Sequence, residues 1–129
     1  MTAGELAKIA AEARASAYAP YSKFDVGAAL LAENGAIFTG CNVENASYGL
    51  TICAERAAVF KAVSEGVRTF SAIAIAVPGA ASPCGACRQV LNEFNPAMKV
   101  YLADENGILS RQTTLDVLLP DAFGPENLD

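Results

Sequence analysis

Two short stretches of this chain carry residues that can hold a metal ion and move protons. The first is Cys53-Ala54-Glu55-Arg56 and the second is Pro83-Cys84-Gly85-Ala86-Cys87-Arg88. A Cys-x-x-Cys pair grips one tetrahedral ion from a single turn, and Cys53 supplies a third thiolate. Three protein ligands leave the fourth position open, which is the arrangement of catalytic rather than structural zinc. Glu55 stands two residues from the first ligand, near enough to carry protons to and from that position. The chain contains no histidine, so proton transfer falls to carboxylates and metal binding to sulfur. Both stretches lie where helices are expected to start, and a helix N-terminus favours the negative charge of a thiolate. Three thiolates and one dication still leave a net negative charge. Arg56 and Arg88 are the nearby cations that could offset it.

The elements expected to position these residues are as follows. Residues 4–17 read as an amphipathic helix, with Leu6, Ile9, Ala10, Ala13 and Ala17 on one face. Residues 24–33 and 36–43 read as a hairpin around Glu33-Asn34-Gly35, an Asn-Gly turn suited to positive φ. Side chains alternate along a strand, which puts Asn42 and Glu44 on one side and Cys41 with Val43 on the other. Cys41 is therefore expected as a buried apolar thiol rather than a fourth ligand. A helix is expected over 52–65, ended by Gly66, and a strand over 70–77 whose unbroken apolar run suits a central position covered on both faces. Residues 84–94 read as a helix and 99–103 as a strand; a turn, a last short strand and a helical turn near 115–118 complete the pattern. Strands alternating with helices imply an α/β fold, a three-layer α/β/α sandwich around a mixed sheet. The 129 residues fit one domain, taken as 1–129.

With these motifs the chain resembles the cytidine deaminase family in its short three-cysteine form, over nearly its whole length from about residue 18 to 128. The resemblance implies a five-stranded sheet between helical layers and one Zn2+ per chain on Cys53, Cys84 and Cys87. It implies hydrolytic deamination of cytidine and deoxycytidine, as in pyrimidine salvage. Glu55 would pass a proton from water to N3 of the ring and a second to the amino group that leaves as ammonia. Arg56 matches the family's charge-tuning arginine beside the cluster. Phe24, in Tyr21-Ser22-Lys23-Phe24-Asp25, looks like the aromatic that packs on the pyrimidine. Asn42 and Glu44 look like the ribose-hydroxyl ligands, and the backbone of Ala54 is expected at the base edge. Tyr48 and Phe123 look like residues that reach a neighbouring subunit's site, within a homotetramer whose active sites are shared.

Composition narrows the partners. A net charge of −5 speaks against nucleic acid, whose binding leans on Lys and Arg. No apolar run approaches the ~18 residues of a membrane span, and no basic-then-apolar leader is visible. Four cysteines without an export signal favour reduced, metal-binding thiols and a cytoplasmic location. The tail carries Leu115, Val117, Leu118, Leu119, Phe123 and Leu128, too short a segment to make its own core, so association with identical copies is expected. Two other readings stay open on sequence. One is a closed four-thiolate zinc module completed by Cys41. The other is a related deaminase acting on RNA or another amino-heterocycle such as a nucleoside antibiotic.

Overall fold

Thr2 opens the first helix, α1 (Ala3–Ala13), with a reciprocal cap. Its hydroxyl accepts from the Glu5 amide at 3.1 Å, and the Glu5 carboxylate accepts from the Thr2 amide at 2.9 Å. The computed structural model describes residues 1–128. After α1, a 3-10 turn (Arg14–Ser16) uses up the rest of the expected helix. The chain continues through β1 (Gly27–Ala32), β2 (Ile37–Cys41), α2 (Ala54–Ser64), β3 (Phe70–Ala76), α3 (Gly85–Phe94), β4 (Lys99–Ala103), β5 (Leu109–Thr114) and the short α4 (Leu115–Leu118). The strands form one sheet in the order β2-β1-β3-β4-β5. Only β3 and β4 run parallel, joined by α3 as the crossover; the other pairs are antiparallel.

The run Ala72-Ile73-Ala74-Ile75-Ala76 shows why the sheet takes three layers. Its residues alternate in size rather than polarity. Ile73 and Ile75 face one side, where Ala58 and Val59 of α2, Leu91 of α3 and Leu115 of α4 complete a core. Ala72, Ala74 and Ala76 face the other, with Ala29 and Ala103, against Leu6, Ala7 and Ala10 of α1. The small residues let α1 lie close. Helices thus cover both faces, α1 alone on one and α2, α3 and α4 on the other, as the strand-helix alternation implied.

Both strands of the first hairpin are shorter than expected. The Asn42 side chain explains the start of β1 at Gly27 rather than at residue 24. Its Oδ1 accepts from the Val26 amide at 2.9 Å and its Nδ2 donates to the Phe24 carbonyl at 2.8 Å. A side-chain amide thus takes the place of the ladder, and Phe24 is freed from the strand. Beyond β2 the backbone of Val43 pairs on two sides, with Tyr18 and with Ile52. The Ile52 pairing, 3.0 Å in each direction, keeps Ile52 extended and delays α2 to Ala54. Cys41 is half-buried rather than buried: Gly40 faces α2, so Cys41 lies on the opposite face, where α1 packs mainly on β1 and β3 and covers edge strand β2 less.

Candidate active site

Cys53 and Cys84 occupy the same local position, the N-cap of α2 and of α3, with extended backbone. At an N-cap the usual side chain accepts from the first-turn amides. Neither cysteine does so, and both sulfurs are left free to meet across the gap between the helices. Cys87 lies in the first turn of α3, fully buried. The three Sγ atoms all fall within 4.8 Å of one another, with 4.0 Å from Cys53 to Cys84 and 3.4 Å from Cys84 to Cys87. Sulfurs ~2.3 Å from a tetrahedral zinc stand ~3.8 Å apart, so this donor set fits the ion in type and spacing. Among the described residues it is the one cluster of three or more potential ligands, and Cys41 is outside it.

The charges of the cluster point the same way. Cys87 donates a hydrogen bond to Cys53, and this with the Arg56 guanidinium pulls the Cys53 thiol down to about 5. The same hydrogen bond, helped by burial, pushes Cys87 up. Cys53 is thus biased towards thiolate and Cys87 towards thiol, and a bound cation would favour loss of the Cys87 proton as well. Arg56 Nη2 donates to Cys53 Sγ at 3.2 Å. Its Nε is buried with no partner among the described residues, a spare donor beside an anionic cluster. Arg88, the other expected counter-charge, donates to Pro83, Leu118 and Ser82 and to none of the sulfurs.

Glu55 is 5% exposed, in the first turn of α2, and its carboxyl faces a cavity of about 550 Å³. Burial, with the Cys53 thiolate adding to it, raises its pKa above the ordinary carboxylate value. A carboxyl so placed can hold a proton as well as take one. Cys53, Cys84, Ala54, Phe24, Asn42 and Glu44 line the same cavity, so one space collects most of the site expected from sequence. Cys87 joins it through sulfur contact only. Ala54 is the first helical residue of α2, where amides have no intrahelical acceptor.

Asn42 and Glu44 are already engaged. Asn42 holds the Phe24–Val26 segment as described. The Glu44 carboxylate accepts from the amides of Tyr21 and Ser22, at 3.0 and 3.1 Å, and from the Ser22 hydroxyl. The Ser22 bonds and the Tyr21 amide hold its carboxyl below the usual range. Ser22 lines the cavity too and was not singled out by sequence; its place in the Pro20-Tyr21-Ser22 turn is the only signal it left. Tyr48 lies outside this cavity, in an adjoining space of about 400 Å³ with Tyr21, Ser22, Glu44 and Thr51. Its ring meets Tyr21 edge-on at 6.2 Å. Phe123 is 58% exposed and lines neither space. Gln89 and Asn92 of α3 donate to its carbonyl, which fixes the backbone there.

A family profile described as the cytidine and deoxycytidylate deaminase zinc-binding region matches residues 2–103. The chain belongs to this family. A cytidine deaminase from Sporosarcina psychrophila is 58% identical over 120 residues, which are 91% of this chain and 88% of the relative. The crystal structure of cytidine deaminase from Burkholderia pseudomallei superposes with a TM-score of 0.91 at 52% identity, covering 95% of this chain and all of that one. That from Mycobacterium tuberculosis gives 0.84 at 43% identity, over 96% and 98%. The matched profile is that of a zinc-binding region, and the three sulfurs described above, which could hold a metal ion, fall within the residues it covers.

Proposed function

We propose that this protein hydrolyses the exocyclic amine of cytidine and deoxycytidine, giving uridine and deoxyuridine with release of ammonia. The observation that carries the reading is the Glu55 carboxyl, buried in the same cavity as the free sulfurs of Cys53 and Cys84. Zinc held by Cys53, Cys84 and Cys87 would supply the acidity that readies a water for attack. Glu55 takes one proton of that water and delivers it to N3 of the ring as the hydroxyl oxygen bonds to C4. It then passes the proton of that hydroxyl to the amino nitrogen, the C4–N bond breaks, and ammonia leaves with C4 as the carbonyl of uridine. Its raised pKa suits both directions of transfer. Phe24 offers an apolar wall for the pyrimidine. The second Asn42 N–H and the free lone pairs of Glu44 are available to sugar hydroxyls.

Arg56 fits the part of charge tuner through its bond to Cys53. The whole chain, 1–129, is read as one catalytic domain working in the reducing cytoplasm, where the thiols stay reduced. No helix of the described residues is long and apolar enough to cross a membrane. A homotetramer with shared sites is supported by exposed Tyr48, Leu50, Phe123 and Leu128 near the two cavities and along the tail. The test is to incubate zinc-loaded protein with cytidine and follow the ultraviolet change and ammonia release, with a cytidine-containing oligonucleotide in parallel. Uridine from the free nucleoside supports the reading. Turnover confined to the oligonucleotide, or none at full zinc occupancy, refutes it.

A further inference from the structure

Arg88 directly follows Cys87, yet its guanidinium points away from the sulfurs. Each of its three nitrogens donates to a different acceptor. Nε reaches the Pro83 carbonyl at 2.8 Å, Nη2 the Ser82 hydroxyl at 2.8 Å, and Nη1 the Leu118 carbonyl at 2.6 Å. Ser82 and Pro83 are the two residues before Cys84, and both line the cavity. Among the described residues no other hydrogen bond reaches either of them. Leu118 is the last residue of α4, where a carbonyl lacks an intrahelical donor and a cation is favoured. One planar fork therefore ties the approach to a metal ligand, the helix carrying another ligand, and the end of a third element.

The position of Cys84 needs such a tie. It is the exposed member of the trio, at the end of a loop, while Cys87 is fixed by burial and Cys53 by the Arg56 bond. We propose that Arg88 is a positioning residue. By holding Ser82 and Pro83 it sets where Cys84 Sγ stands relative to Cys53 and Cys87, and at the same time it shapes that wall of the cavity. The inference rests on reading the trio as the zinc site. Charge alone does not meet the geometry: a lysine ammonium cannot span acceptors on three sides as the fork does.

The experiment compares parent, Arg88→Lys, Arg88→Gln and Ser82→Ala. Zinc affinity is measured by competition with a chromophoric chelator, ligand geometry from the visible bands of the cobalt(II)-loaded proteins, and stability from melting of the metal-free forms. Loss of a group that orients a ligand typically weakens metal binding 10–100-fold. Arg88→Gln should show that loss with altered cobalt bands, and Arg88→Lys should lie between it and the parent. Arg88→Gln that merely melts lower, with parental zinc affinity and cobalt spectrum, overturns the proposal, because a purely structural residue would act that way. If Arg88→Gln does not fold, Ser82→Ala decides. It removes one bond and leaves two, so a smaller affinity loss is expected, and parental affinity with an unshifted spectrum overturns the proposal. A parent that binds no zinc would instead overturn the reading of the trio itself, and this inference with it.

Discussion

Gly40 sits on β2 directly beneath the first turn of α2, and replacing it with alanine tests how the site is held. A Cβ at Gly40 would lie 2.6 Å from the Ala58 amide nitrogen and 3.1 Å from the Ala58 Cβ, and closer still to the Ala54 carbonyl oxygen. Ordinary contact between such atoms is ~3.5–4.0 Å, so the overlap is about 1 Å. Two of the three obstacles are helix backbone, which cannot rotate out of the way as a side chain could. The strand and α2 must therefore separate by roughly that distance at the end of the helix carrying Cys53, Ala54 and Glu55. Overpacking of this kind costs about 1–3 kcal/mol. A displacement of ~1 Å at a reacting group costs on the order of 10²-fold in rate.

Gly40→Ala should accordingly melt roughly 5–10 °C lower and turn cytidine over about a hundredfold more slowly at saturating zinc. Circular dichroism melting, zinc content and steady-state kinetics on the folded protein read all three quantities. Gly4→Ala in α1 is the matched control, since its added methyl meets nothing nearer than Thr2 Oγ1 at 4.0 Å. A Gly40→Ala protein with the parent's melting temperature and turnover would refute the claim that this close approach positions α2.

Glu55→Gln should keep its zinc and fold but lose ~10²–10⁴ in kcat, the usual range for one acid/base group; near-parental turnover at full zinc occupancy would remove Glu55 from proton transfer. Glu44 has a lowered pKa, so its contribution to stability is present above the ordinary carboxylate value and fades as pH falls through the lowered one. The melting temperature of Glu44→Gln should thus lie below the parent's at neutral pH and converge with it in acid, and a gap that is constant with pH would contradict this. Phe123→Ala should raise KM for cytidine and shift the light-scattering mass below that of a tetramer, whereas a fully active parental monomer would rule out shared sites.

The metal cluster was the most legible part of the sequence because a Cys-x-x-Cys turn is a local pattern, as is the carboxylate two residues past Cys53. The sandwich was legible through the apolar run of β3, although its alternation in size, which sets the layer that α1 occupies, is a packing fact. The misplaced strand start at residue 24 has a different cause. Nothing in the residues 24–26 says that the Asn42 amide will take their hydrogen bonds, because that pairing spans 16 to 18 positions. Arg88 was read as charge for the same reason: its acceptor on Leu118 is 30 residues away. Cys41 was expected to be buried because strand alternation gives a side chain's face but not how far the helix on that face reaches over an edge strand.

The engagement of Asn42 and Glu44 bears on how a sugar would be selected. A free carboxylate and a free amide would each have to be ordered on binding, at ~0.5–1.5 kcal/mol for every side chain immobilised. Here the ordering is built in. The Glu44 carboxylate is held by two amides and a hydroxyl, and the Asn42 amide by two backbone groups. The bonds that fix Glu44 also keep it ionised, so it can only accept, and a sugar hydroxyl can meet it only as a donor. The bonds that fix Asn42 also hold the backbone of Phe24, so in the proposed reading the sugar contact and the base contact would move as one piece. A substitution at Asn42 should therefore disturb the pyrimidine wall as well as the ribose, and its effect on KM should persist with a base analogue that lacks the sugar. A KM loss seen only with the full nucleoside would mean that Asn42 acts on the sugar alone.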